Sequence, residues 1–166
     1  MKNYQGLRML VIADSSPLIG FAILGKLDIL NRIFEEILVP QAVYQEVTVL
    51  SKPHAETLKS FLKEKVEKVK NDVAVHVLRT ELDLGEAESI VLAIEKKGDI
   101  LIDDHKGRRA AKASGLEAIG TVGVLLQAKK LNYIVEIKPL LDRLINNKMR
   151  IGETLYNRAL VLAGES

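Results

Sequence analysis

The chain has no cysteine and no tryptophan. The first absence removes disulfides, thiolate metal sites and cysteine nucleophiles together. Aromatics are scarce altogether, four tyrosines and three phenylalanines, so a nucleic-acid surface built on base stacking has little material. No apolar run reaches the roughly 18 residues of a bilayer span, and Met1–Arg8 is polar rather than a signal sequence. These two absences predict a cytoplasmic protein with no membrane contact. An excess of one charge is also lacking: 24 basic against 22 acidic residues leave +2 at neutral pH, too little for a whole-molecule attraction to polyanions. What remains is an ordinary globular composition, 48% hydrophobic and 28% charged over 166 residues. That is enough for one continuous core and argues against a disordered chain. With no internal repeat and no long linker, a single domain over residues 1–166 is expected.

Strand and helix patterns alternate. Met9–Ala13, Ile37–Val39 and Ile100–Ile102 are short apolar runs that predict buried strands, with Val66–Val69 as an edge strand and Ala118–Ile119 as a last short one. Between them lie helical patterns. One is opened by Pro17 behind Ser15 and Ser16, and others cover Lys26–Phe34, the stretch behind Pro40, Lys52–Lys65, Glu86–Lys97, Arg108–Ser114 and Thr121–Lys130. Lys138–Asn146 and Glu153–Ala163 complete the set. Strands separated by helical crossovers predict a mainly parallel sheet covered on both faces, a three-layer α/β/α domain.

Four strings place carboxylates where a metal-dependent enzyme would want them: Leu10–Ser16, Gln45–Val47, Leu84–Ile90 and Ile100–His105. The first and last are apolar runs that stop on aspartate, so Asp14 and the pair Asp103 and Asp104 should emerge at strand ends, where open α/β sheets bind ligands. Asp14 could equally be a helix cap. Two adjacent acids at a buried strand end repel unless a cation or basic partner neutralises them. Glu46 falls between Val43 and Leu50 on what reads as the apolar stripe of its helix, an unusual place for an unpaired carboxylate. Glu86 borders the core face of the next acidic helix in its first turn, whereas Glu88 points to the polar side near Glu95. Glu86 is the preferred pocket acid, and Glu88 a supporting or surface residue. Beyond the acids, Lys106, Arg108 and Arg109 form a cationic segment without an acidic residue, either a phosphate-binding patch or a solvated helix face. Lys148 and Arg150 are the next basic pair.

The strings at Asp14–Ile19, Gly85–Ile90, Ile102–Ala111 and Ile119–Leu126 occur in an order that resembles the PIN-domain ribonucleases, more narrowly the small stand-alone prokaryotic branch similar to toxins of toxin–antitoxin pairs. The resemblance runs from about Leu10 to the C-terminus. It implies a Rossmann-like α/β/α fold with acids around one or two Mg2+ or Mn2+ ions, and hydrolysis of single-stranded RNA to a 5′-phosphate and a 3′-hydroxyl. Carried over by motif, the catalytic and metal-binding acids are Asp14, Glu46, Glu86 and Asp104, with Asp103 as a further metal ligand. Ser15, Ser16, Glu88 and Thr121 stand beside them, and Lys106, Arg108 and Arg109 contact RNA. The third acid is more often Asp in that family, which leaves Glu86 against Glu88 open. The resemblance further implies an antitoxin partner and a homodimer. Two other classes remain: a non-catalytic nucleic-acid-binding module of the same fold, and an acidic-pocket phosphotransfer protein. For the phosphatase form of the latter, Ser16 stands where a second acid is wanted.

Overall fold

The computed structural model describes residues 9–166; the reading of Met1–Arg8 lies outside them. Five strands form one all-parallel sheet in the order β3-β2-β1-β4-β5. They are β1 (Leu10–Ala13), β2 (Glu36–Pro40), β3 (Val66–Glu67), β4 (Asp99–Leu101) and β5 (Ala118–Ile119). The helices are α1 (Ser15–Ile23), α2 (Leu27–Ile33), α3 (Gln41–Val47), α4 (Ala55–Phe61), α5 (Asp72–Leu78), α6 (Leu84–Lys96), α7 (His105–Ala113), α8 (Thr121–Lys130), α9 (Lys138–Asn146) and α10 (Glu153–Ala163). None of the described helices is long and apolar enough to cross a membrane.

The period of two in the strands explains the two cores. Val11, Ala13, Ile37, Val39 and Leu101 face one side and join Leu18, Phe21, Leu30, Leu58 and Leu125 from α1, α2, α4 and α8. Ile12, Leu38, Ile100 and Ile102 face the other and meet Val75, Ile90, Leu92 and Ala111 from α5, α6 and α7. Every central strand is buried on both faces, which is why its sequence reads as a continuous apolar run rather than an alternation. Close approach sets one residue: a Cβ on Gly98, just before β4, would lie 2.8 Å from the backbone oxygen of Leu10.

The order of the sheet fixes where the site must be. From β1 the chain builds outward to β2 and β3, then returns across β1 to add β4 and β5 on its other side. The gap between the outgoing and returning halves therefore opens at the carboxyl ends of β1 and β4, one residue before Asp14 and two before Asp103.

Several boundaries differ from the sequence reading for identifiable reasons. The acidic helix α6 starts at Leu84, not Glu86, because Asp83 caps it. Helix α7 starts at His105, not Arg108, because Asp104 caps it. Helix α5 is absent from the sequence reading: its exposed Val73 and Val77 blur the amphipathic stripe, and Asn71 supplies the cap that marks its start.

Candidate functional site

A cleft of about 390 Å³ at the strand ends is lined by Asp14, Glu46, Asp83, Glu86 and Asp104, with Ser15, Ser16 and Ile19 from α1. Parallel topology puts helix N-termini on the same edge as strand C-termini, so α1, α6 and α7 all begin here and their positive ends face the acids.

Asp14 stands at the N-cap position of α1 yet makes no capping hydrogen bond with its side chain. Its backbone N–H donates to the Leu101 oxygen at 2.9 Å, which ties the end of β1 to β4. The carboxyl is buried, and burial pushes its pKa up to about 7. The Ser15 backbone N–H opposes that rise, while the nearby charges of Asp83, Glu46 and Asp103 add to it.

Glu86 is held by a reciprocal capping box: its N–H donates to Asp83 Oδ1 at 2.8 Å, and the Asp83 N–H donates to Glu86 Oε1 at 3.1 Å. Burial raises its pKa well above the carboxylate range, and the bond from the Asp83 backbone offsets part of that rise. The Asp83 charge and a side-chain hydrogen bond with Asp104 raise it further. Such a bond favours the protonated form of Glu86. Asp104 Oδ2 also caps α7 by accepting the Gly107 N–H at 3.0 Å. Gly107 has to be small, since a Cβ there would lie 2.5 Å from Ile102 Cδ1 and 3.1 Å from Glu86 Oε2.

Glu46 reaches the cleft for a different reason from the one its sequence position suggested. Helix α3 ends at Val47, and Leu50 beyond it is 77% exposed, so no apolar stripe joins Val43 to Leu50. Glu46 is itself exposed at the rim. Its Oε2 accepts a very short hydrogen bond from the Ser15 hydroxyl and lies 3.5 Å from where a Cβ on Gly85 would stand.

The two adjacent aspartates part company. Asp103 is not among the residues lining the cleft. Its Oδ1 accepts the Thr121 N–H at 2.7 Å, and its Oδ2 accepts the Thr121 hydroxyl at 2.7 Å and the Ser16 hydroxyl at 2.9 Å. The repulsion expected between neighbours is relieved by these donors, which tie the starts of α1 and α8 to the end of β4. Glu88 is also occupied elsewhere: its Oε1 accepts the Ala42 N–H at 3.1 Å, in the first turn of α3.

Of the cationic segment, Lys106 and Arg109 are exposed, whereas Arg108 is half-buried and donates from Nη1 to the Ile102 oxygen at 3.1 Å. Asp83 was missed by the sequence reading, although the Asp-x-x-Glu spacing of Asp83 and Glu86 is a capping-box signal. Asn147, Lys148 and Met149, from the turn between α9 and α10, also line the cleft. Sequence spacing carries no signal for that approach.

Residues 10–165 match a family model described as DUF3368, PIN domain, and the chain belongs to the PIN-domain family. Members are generally nucleases and typically use divalent metal ions. Among curated proteins, none matches this chain significantly. The residues present suit such an ion in chemistry: the cleft offers hard oxygen donors whose mutual repulsion a dication would relieve. Among the described residues, no three acidic or histidine side chains form a ready-made ligand cage.

Proposed function

We propose that this chain is an endoribonuclease that hydrolyses single-stranded RNA with Mg2+ or Mn2+. The observation that carries the reading is the meeting of Asp14, Glu46, Glu86 and Asp104, from four separate stretches of sequence, on one open cleft at the switch in strand order. Asp14, Glu86 and Asp104 would hold the ion, with Glu46 reaching it from α3 and Asp83 adding a fifth carboxylate. Asp103 is assigned to the wall, because both of its oxygens already accept structural hydrogen bonds. When bound, the ion supplies an acidified water as nucleophile and charge relief for the leaving 3′ oxygen. Burial raises the pKa of the Glu86 carboxyl in the free protein, and a bound cation would favour its ionised form, the proton leaving to solvent. Ser15 fixes the orientation of Glu46, and the capping box fixes that of Glu86. Lys106 and Arg109 hold phosphates along the strand, a contact that adds affinity without sequence preference.

Purified protein with Mg2+ or Mn2+ should cut single-stranded RNA to 5′-phosphate and 3′-hydroxyl ends and stop in EDTA. Asp14→Asn should abolish cleavage while remaining folded. A 2′,3′-cyclic phosphate product would exclude water as the nucleophile and refute the mechanism. A toxin-like role, with an antitoxin partner and a homodimeric assembly, is supported by the motif strings alone. It is tested by asking whether the product of an adjacent small reading frame suppresses the cleavage.

A further inference from the structure

A phosphodiester entering this cleft meets five carboxylates, and a bound dication offsets only part of that charge. Lys148 is the single basic residue among those lining the cleft. It is no member of the ion pairs that join Lys96 to Glu67, Lys129 to Glu165 and Lys138 to Asp142. Its backbone, by contrast, is firmly placed. The Lys148 N–H donates to the Ile145 oxygen and the Met149 N–H to the Leu144 oxygen, both at 3.0 Å, closing the end of α9. Next to it, Asn147 spends its side-chain amide on the Arg143 oxygen at 2.8 Å. On the other side, the Met149 thioether packs on α1, its Sδ and Cε 3.4 Å from where a Cβ on Gly20 would stand. The turn is thus docked against the helix that begins at Asp14, with its ammonium-bearing residue presented to the acidic cleft.

The conformation of Lys148 sharpens the point. Its φ is +72°, the left-handed region in which a helix usually ends on glycine. Lys97, Glu64 and His54 share that feature, so it does not identify a function by itself. It does mean that the fold would be served at least as well by a residue without a side chain.

We propose that Lys148 is a substrate-binding residue that holds an RNA phosphate on the α9–α10 side of the cleft, so that the strand runs between it and the basic face of α7. The assignment rests on the ribonuclease reading above. Its test is Lys148→Gly, a substitution that suits the backbone and removes only the ammonium-bearing side chain. Cleavage kinetics on a mixed-sequence single-stranded RNA should show KM raised about fivefold, the worth of one exposed charge contact, with kcat little changed. The salt dependence of log KM should lose about 0.7 in slope, one phosphate contact for a single strand. Lys148→Arg should restore both. The melting temperature of Lys148→Gly should be equal to or above that of the parent, and Mn2+ affinity measured by calorimetry should stay within a few-fold. Unchanged KM and salt slope in a parent enzyme that cuts RNA would overturn the assignment of Lys148 alone. A parent protein that neither cuts nor binds RNA would overturn the ribonuclease reading and this proposal with it.

Discussion

Asp14→Asn should make the metal-free protein more stable, although it removes a residue proposed to hold the metal. The folded pKa of Asp14 is about 7 against an ordinary 3.8, so the native state binds this proton more tightly than the unfolded chain does. Stability from this group is fully present below the unfolded pKa and is lost as pH rises from about 4 to about 7, levelling off above that. At 1.36 kcal/mol per unit, a shift of about three units costs roughly 4 kcal/mol in a rigid site, and about 2 kcal/mol where water and local opening relieve the buried charge. Asparagine keeps the shape and carries no charge to bury. Urea unfolding in EDTA across that pH range should therefore give parent and variant equal stability at about pH 4, and an advantage to the variant of about 2 to 4 kcal/mol at about pH 8. The contribution of Glu86 falls in both proteins and cancels in the difference. Adding Mn2+ should reverse the order, since only the parent gains the full binding energy of the ion. Two parallel pH curves in EDTA, or a variant less stable at high pH, would mean that Asp14 is not held in a buried and repulsive setting, and the argument for the site would lose its electrostatic half.

Three further outcomes separate groups that the sequence places side by side. Asp103→Ala should cost about 2 to 3 kcal/mol in urea unfolding, because three donors from Thr121 and Ser16 lose their acceptor; a folded variant that loses Mn2+ binding instead would return Asp103 to the ligands. Glu86→Gln should abolish cleavage, while Glu88→Gln should retain it and at most soften α3, whose Ala42 N–H still finds an amide oxygen; the opposite ranking in a cleavage assay would exchange their roles. Arg108→Ala should lower the melting temperature through its lost bond to the Ile102 oxygen, whereas Arg109→Ala should leave melting unchanged and reduce the salt slope of RNA binding by about 0.7.

Much of the fold could be read from runs of residues that do one thing. A doubly covered parallel strand must be apolar on both faces, so Val11 to Ala13 and Ile100 to Ile102 announce themselves, and Pro17 and Pro40 mark helix starts. Local patterns gave way where a side chain outside the pattern decides the boundary. Asp83 and Asp104 begin their helices earlier than the apolar spacing suggests, and Asn71 begins one whose valines are left exposed.

The candidate site was legible to the extent that it is made of strand ends. Asp14 and Asp104 follow from the principle that α/β clefts open at the carboxyl edge, and Glu86 from its place in a first turn beside core residues. Glu46 was named by motif and for an apolar stripe that does not exist; what holds it at the cleft is the Ser15 hydroxyl, and a partner 31 positions away leaves no periodic trace. Asp103 shows the converse. Sequence adjacency made it look like the twin of Asp104, but successive residues leaving an extended strand point apart, one toward the cleft and one toward the starts of α1 and α8. An acid at a helix start can satisfy backbone N–H groups or offer its oxygens to an ion, and both readings have the same local sequence. The donors around it, which the chain supplies from distant segments, separate the two cases: Asp103 accepts three hydrogen bonds, while the Asp14 side chain caps no helix and its buried carboxyl has the Ser15 N–H set against the charges of Asp83, Glu46 and Asp103.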